Sequence, residues 1–91
     1  MINTIKVYPH TYMDRANGDH FKAFHIADLI HQGIMNFLTN KLGSITFNDI
    51  STNESYEIEL VNVDDRTLYE IKLMYPNISM RTLCTYKNSY Y

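Results

Sequence analysis

The second half of the chain alternates between apolar and polar residues, a pattern that predicts β-strands. Four segments carry the alternation, namely Ile45–Ile50, Ser55–Val63, Thr67–Tyr75 and Ile78–Lys87. Turn-forming residues separate them at Ser51–Glu54, Asp64–Asp65 and Pro76–Asn77. Because breaks this short join neighbouring antiparallel strands, the pattern predicts a four-stranded meander.

The three predicted hairpins agree on which side chains share a face of the sheet. Folding the first turn symmetrically sets Phe47 opposite Ile58, and the second turn sets Ile58 opposite Ile71. The third turn sets Leu73 opposite Met80. All five lie on one face, because side chains alternate along a strand, and we expect that face to form the core.

The opposite face of the predicted sheet mixes charged and apolar side chains. It holds Leu68, Met74, Arg81 and Leu83. Two interpretations stay open for its apolar members. They are ordinary exposed hydrophobic residues, or they form a contact surface for a partner or for a second copy of the chain.

The first half of the chain predicts a hairpin and a helix. Thr4 to Tyr8 alternate weakly and predict a strand, which Pro9 would bend or confine to a sheet edge. Asn17-Gly18 stands between two alternating arms and predicts a tight hairpin turn, because both turn residues need positive φ. Apolar residues then recur at helical spacing over Asp28–Leu42, with Asp28 placed to cap the helix and Gly43 just past its end.

These elements predict a single α+β domain over residues 1–91. An N-terminal β-hairpin is followed by one amphipathic helix and then by the meander, with the helix packed on one sheet face. The order ββαββββ is that of a cystatin-like layout. This is an architectural analogy, and it carries no function with it.

Composition narrows the function classes. Hydrophobic residues make up 45% and charged residues 20%, as is typical of soluble globular chains, and the net charge of −2 is too small to indicate a nucleic-acid-binding surface. The single cysteine, Cys84, allows no intramolecular disulfide and suits a reducing compartment. No apolar run has membrane-spanning length or the form of a signal peptide, so we expect a cytoplasmic protein without a membrane partner.

Histidines are the first candidates for chemistry. The predicted hairpin sets His10 opposite His25, which could be a metal pair or a pH-sensitive contact, although two exposed histidines explain the pattern as well. Asp28 and His31 lie one helical turn apart, like the base-orienting half of a catalytic triad, but no nucleophile is placed beside them. We therefore expect no enzyme, no metal site and no cofactor.

The predicted N-terminal hairpin is the best candidate for a protein interface. A hairpin on a rigid scaffold presents its side chains to a partner, and tyrosine and arginine are enriched at interfaces. The candidate contact residues there are Tyr12, Asp14, Arg15, His20 and Lys22. Tyrosines beside basic residues also suit a single-stranded nucleic acid. The negative net charge favours a protein partner.

The run Thr11–Phe21 resembles a hairpin of small uncharacterised bacteriophage proteins. It carries their Tyr-x-Asp-x-x-Asn-Gly-Asp pattern before an aromatic residue, but lacks the glycine- and tyrosine-rich segment found shortly after it in them. The resemblance implies a phage accessory protein that binds and inhibits a host protein in the host cytoplasm, including defence enzymes. The alternatives are a small nucleic-acid-binding regulator and a self-assembling structural protein that dimerises through the outer sheet face.

Overall fold

Four strands form one antiparallel sheet, and two helices contribute to the core on one of its faces. The structure is a computed structural model that describes residues 2–43 and 47–83, the last two as backbone only. The elements are β1 (Ile2–Val7), a 3₁₀ helix (Pro9–Tyr12), α1 (His20–Leu42), β2 (Phe47–Asp49), β3 (Tyr56–Val61), α2 (Asp65–Met74) and β4 (Ser79–Leu83). The predicted α+β class, with a long helix and a four-stranded antiparallel sheet, is confirmed.

The strand order differs from the predicted meander. The strands lie in the order β2-β3-β1-β4, so that β1 is central and pairs antiparallel with both β3 and β4. Strands and long helices follow one another as βαββαβ, the order of the ferredoxin-like or split βαβ arrangement. The ββαββββ order of a cystatin-like layout is therefore not the one observed.

The first strand is central in the sheet, whereas the sequence predicted a strand that Pro9 would bend or confine to an edge. Pro9 lies beyond the end of β1, at the start of the 3₁₀ helix. A proline at the start of a helix removes an N–H that would be unpaired there anyway. The backbone of β1 is thus free to pair on both sides, and its alternate residues Asn3, Ile5 and Val7 are buried.

The predicted hairpin at Asn17-Gly18 is wrong, although both residues do adopt positive φ, at 54° and 80°. They lead into α1 instead of joining two strands. Asp19 caps this helix, because its Oδ1 accepts the backbone N–H groups of Phe21 at 2.9 Å and Lys22 at 3.2 Å. The helix therefore begins at His20, eight positions before the predicted cap.

The predicted strand Thr67–Tyr75 is also wrong, because this segment forms most of α2. Thr67, Leu68 and Ile71 are buried at helical spacing, whereas Leu73, predicted to lie in the core, is exposed. Asp64 precedes the helix, and its carboxylate accepts a hydrogen bond from the Thr67 hydroxyl. The alternation along this segment fits a helix equally well, because positions three and four apart also share a face.

The pairing of β2 with β3 keeps the predicted face but not the predicted partners. Phe47 is aligned with Leu60 and Asp49 with Ile58, a shift of two residues from the prediction. An even shift leaves each side chain on its predicted face. The core between sheet and helices is built chiefly from Ile5, Val7, Ile34, Leu38, Ile58, Leu60 and Ile71.

The long helix α1 has 23 residues. In the part of the chain that the structure describes, no helix combines the length and the apolar character needed to cross a membrane.

Candidate functional site

Four of the five residues predicted to form the N-terminal contact element are exposed. Asp14 and Arg15 lie in the turns before α1, and His20 and Lys22 lie in its first turn. Tyr12 differs, because it is only 2% exposed and belongs to the core. Burial raises the pKa of its phenol, against the opposing effect of the Arg15 guanidinium, which lies 5.7 Å from the ring centroid. Tyr12 is therefore a packing residue and not a contact residue.

The predicted outer patch does not form as one surface. Leu68 lies on the buried face of α2, and Met74 is exposed at the end of that helix. Arg81 is exposed on β4, and the side chain of Leu83 lies outside what the structure describes. The separation results from the wrong strand prediction, because a helix places residues 68 and 74 in different directions.

The contact between His10 and His25 was predicted from the hairpin register, and the hairpin does not form. The ring of His10 stands 5.4 Å from the ring of Tyr8, and His25 is exposed on α1. Among residues 2–43 and 47–83, no group of three or more His, Cys, Asp or Glu residues could hold a metal ion.

A histidine, a serine and an aspartate meet where α1 packs against the end of β2. His31 is 2% exposed, and its Nε2 lies 3.3 Å from Ser51 Oγ and 3.3 Å from Asp49 Oδ1. Its ring packs against Tyr56, with 5.0 Å between the ring centroids. The sequence had paired His31 with Asp28 and had missed Asp49 and Ser51. The signal was the Asp-x-Ser spacing, in which the Ser51 N–H bonds the Asp49 carboxylate in a local turn.

The arrangement of these three residues is that of a structural anchor. In a serine triad the carboxylate bonds one ring nitrogen and the hydroxyl the other, whereas here both approach Nε2. Ser51 Oγ donates a hydrogen bond to Asp49 at 2.5 Å and accepts one from the Glu57 N–H at 3.0 Å. These two bonds stabilise the connection between β2 and β3. Burial raises the pKa of Asp49, but the hydrogen bonds from Ser51 and the nearby His31 outweigh it, so that the net pKa is lowered.

Three depressions that share lining residues form what we call the groove. The first, the sheet pocket, has a volume of about 230 Å³ and lies on the sheet face that the helices leave open. It is lined by Thr4, Lys6, Tyr8, Glu57, Ser79 and Arg81. These side chains point away from the core because they alternate with buried residues along β1, β3 and β4.

The second depression, the middle pocket, continues the first toward the loop between β2 and β3. Its volume is about 520 Å³, and it shares Lys6, Tyr8 and Glu57 with the sheet pocket. It also includes His10 and Glu54, which are shared with the third depression. Neighbouring depressions share lining residues and so lie side by side in a track.

The third depression, the helix pocket, lies beside the first turns of α1 and has a volume of about 290 Å³. Its apolar wall consists of Pro9, Met13, Ala23 and Phe24. Its polar wall consists of His10, His20, Asn53 and Glu54. In the same turn of α1, Phe21 is 90% exposed. The predicted N-terminal segment thus does contribute to a concave surface, through His20 and its apolar neighbours.

Charge is distributed unevenly along this groove. Lys6 and Arg81 provide two cations on the β1 and β4 side of the sheet pocket. Glu57 lines both the sheet pocket and the middle pocket, as Lys6 does, and Glu54 adds a second acidic group to the middle pocket. The helix pocket is the most apolar part of the track. Cations therefore outnumber acidic groups in the sheet pocket, acidic groups outnumber cations in the middle pocket, and the helix pocket is largely apolar.

The open sheet face lacks the features of a nucleic-acid platform. RNA-recognition motifs stack bases on aromatic side chains of the central strands of a four-stranded sheet. Here the outward residues in the middle of the central strands are Thr4 and Lys6 on β1 and Glu57 and Glu59 on β3. The two glutamates would repel phosphate groups, which disfavours a nucleic acid on this face.

Comparison of the chain with models of known protein families gives no match, and comparisons with curated proteins and with solved structures give none either.

Proposed function

We propose that the protein is a non-enzymatic binding protein that holds an extended segment of another protein in its groove. The observation that carries the proposal is that the three depressions lie side by side. The sheet and middle pockets share Lys6, Tyr8 and Glu57, and the middle and helix pockets share His10 and Glu54. Ligand sites in proteins are concave, with an apolar lining and a few polar groups that fix orientation. A track of this form suits a peptide better than a compact small molecule.

The helix pocket supplies the apolar anchor in this proposal. Phe24 is 38% exposed although it belongs to the pocket wall, and Phe21 next to the pocket is almost fully exposed. Aromatic side chains in such positions carry much of the energy of protein interfaces. A leucine, methionine or aromatic residue of the partner would bury both rings.

The resemblance of Thr11–Phe21 to small bacteriophage proteins extends the proposal to the partner. We propose a phage-encoded protein that acts in the host cytoplasm and occupies the bound segment of a host protein, such as a defence or nucleic-acid-processing enzyme, and so inhibits it. The exposed Asp14, Arg15 and Lys22 lie close in sequence to the helix pocket residues and would add contacts around it.

A displayed library of random peptides tests the binding function without knowledge of the partner. The affinity of the selected peptides for the wild-type protein and for the Phe24→Ala variant is then measured by fluorescence polarisation. We expect affinity to fall about tenfold or more, because truncation of an interface anchor costs on the order of 2 kcal/mol. Circular dichroism checks that the variant remains folded.

The matched control is Leu29→Ala, which removes another exposed apolar side chain of α1 that does not line the groove. Its affinity should equal that of the wild type. Equal affinity of Phe24→Ala and the wild type would show that the peptides bind elsewhere, and the groove would then lose its assigned role.

Self-association is the second candidate function, and one observation favours it. Tyr69 and Leu73 lie one turn apart on α2 and are 65% and 62% exposed. This helix face, and not the predicted outer sheet face, would bring two copies together. Light scattering of the wild type and of Leu73→Ser distinguishes the cases, because a dimer formed through α2 should become a monomer in the variant.

A further inference from the structure

We infer that the sheet pocket takes an aspartate or glutamate side chain of the bound segment, which Lys6 and Arg81 hold while an apolar residue of the same segment fills the helix pocket. The inference rests on the proposed peptide-binding function and adds to it the chemical pattern of the ligand. An acidic group at one end and an apolar group at the other would fix both the direction and the position of the segment.

The first support is the placement of the two cations. Lys6 is aligned with Ser79 across β1 and β4, and Arg81 is aligned with Thr4. Lys6 and Arg81 are therefore diagonal neighbours on one sheet face, close enough for both to reach a single carboxylate. The hydroxyl groups of Thr4 and Ser79 line the same pocket and can donate further hydrogen bonds.

The second support is that both cations keep hydrogen-bonding capacity. Lys6 Nζ lies 3.8 Å from Glu57 Oε2, which is an ion pair but is longer than a hydrogen bond. The guanidinium group of Arg81 takes part in no ion pair or hydrogen bond with the residues that the structure describes. A carboxylate placed between them would reduce the repulsion of two neighbouring positive charges and could bind the Arg81 fork through both oxygens.

The third support comes from the acidic stretch next to the two cations. Glu54 lines the middle and helix pockets and not the sheet pocket, so a second acidic residue of the ligand would be repelled there. Glu57 is common to the sheet and middle pockets, and its ion pair with Lys6 offsets part of its charge. The groove thus selects a position for the carboxylate as well as its charge.

The same peptide selection tests this inference. Peptides that bind the wild type should be enriched in aspartate or glutamate at a fixed spacing from an apolar residue, and depleted of acidic residues in between. Replacing the selected acidic residue by its amide should weaken binding about tenfold, as should Arg81→Ala in the protein. The two changes remove the same contact, one from the peptide side and one from the protein side. Made together, they should therefore weaken binding little more than either change alone.

Arg66→Ala is the matched control, because Arg66 is an exposed arginine on α2, outside the groove. It should leave peptide affinity within about twofold of the wild type. Equal losses with Arg66→Ala and Arg81→Ala would reveal an unspecific effect of net charge and overturn the inference.

The remaining outcomes separate the two proposals. Peptides that depend on Phe24 but show no acidic preference, or that bind Arg81→Ala as well as the wild type, would overturn the carboxylate site and leave the groove function in place. If no peptide is selected, or if binding ignores Phe24, the groove function fails and the carboxylate site fails with it.

Discussion

The ring of Tyr75, just after α2, lies against Gly33 in the middle of α1. A Cβ added at Gly33 would be 3.3 Å from the Tyr75 Cζ and closer still to its hydroxyl oxygen. The glycine allows α1 and the end of α2 to meet, because the phenol end of Tyr75 occupies the space of the missing side chain.

Gly33→Ala should therefore not give the usual gain of a glycine replacement in a helix. Alanine favours the helix by about 1 kcal/mol over glycine, but here the methyl group must displace the Tyr75 ring, which typically costs about 1–3 kcal/mol. We expect a lower free energy of unfolding, measured by urea denaturation. In a Tyr75→Ala background the same change should become stabilising. An equal effect in both backgrounds would contradict the contact.

The buried His31 should be important for stability. Its removal in His31→Ala leaves a cavity beside Tyr56 and takes a partner from Asp49 and Ser51. We expect the free energy of unfolding to fall by about 2–3 kcal/mol. His25→Ala, on the exposed face of the same helix, should change it by less than about 0.5 kcal/mol. Similar effects of the two substitutions would contradict the anchoring role.

Asp49 should make the free energy of unfolding depend on pH in the acidic range. Its pKa in the folded protein is lowered, because the hydrogen bonds of Ser51 and the nearby His31 outweigh the effect of burial. Its stabilising contribution is thus complete above the unfolded value of about 3.9 and is lost as the pH falls through the lower folded value. The difference in unfolding free energy between the wild type and Asp49→Asn should shrink over that range.

Urea denaturation at a series of pH values between about 6 and 3 measures this difference. The comparison with Asp49→Asn is needed because the pKa of Asp64 is also lowered, chiefly by the hydrogen bond from Thr67, and acts in the same direction. Ser51→Ala should remove part of the same pH dependence. A difference between the wild type and Asp49→Asn that stays constant with pH would refute the assignment.

The cap of α1 gives a fourth prediction. Asp19→Ala leaves the N–H groups of Phe21 and Lys22 without their acceptor and should cost about 1 kcal/mol of stability. Asp19→Asn should retain most of it, because asparagine caps helices about as well. Thermal denaturation of the two variants, with the exposed Asp14→Ala as control, measures the effect. A loss in Asp14→Ala equal to that in Asp19→Ala would argue against the cap.

The sequence predicted correctly those elements whose apolar residues fit either the strand period or the helix period, but not both. The third strand was found nearly as predicted, and α1 does end at Leu42 with Gly43 in a positive-φ conformation. The start of α1 was missed because Ala23 and Ala27, both buried, are small and weaken the apolar stripe that marks a helix. Asn17-Gly18 shows that a residue pair can require positive φ without determining whether a strand or a helix comes after it.

The error at α2 has a different cause. Thr67, Ile71 and Tyr75 lie on one face both in a strand and in a helix. The spacing of these residues therefore does not distinguish a strand from a helix. The residues between them, including Glu70, Lys72 and Met74, are good helix formers and were the stronger evidence. The groove was beyond prediction, because it joins residues from distant parts of the chain that meet only when β4 pairs with β1.

The central position of β1 also has a consequence for the order in which the protein can assemble. Ile2 is aligned with Val61 on one side and with Leu83 on the other, so the sheet closes only through contacts between residues far apart in sequence. Such contacts slow folding, because a long loop must close before they form. During synthesis β1 is made first but gains its last neighbour only with β4. A chain shortened before β4 would leave the backbone of its central strand unpaired along one edge, where another unfinished chain can add.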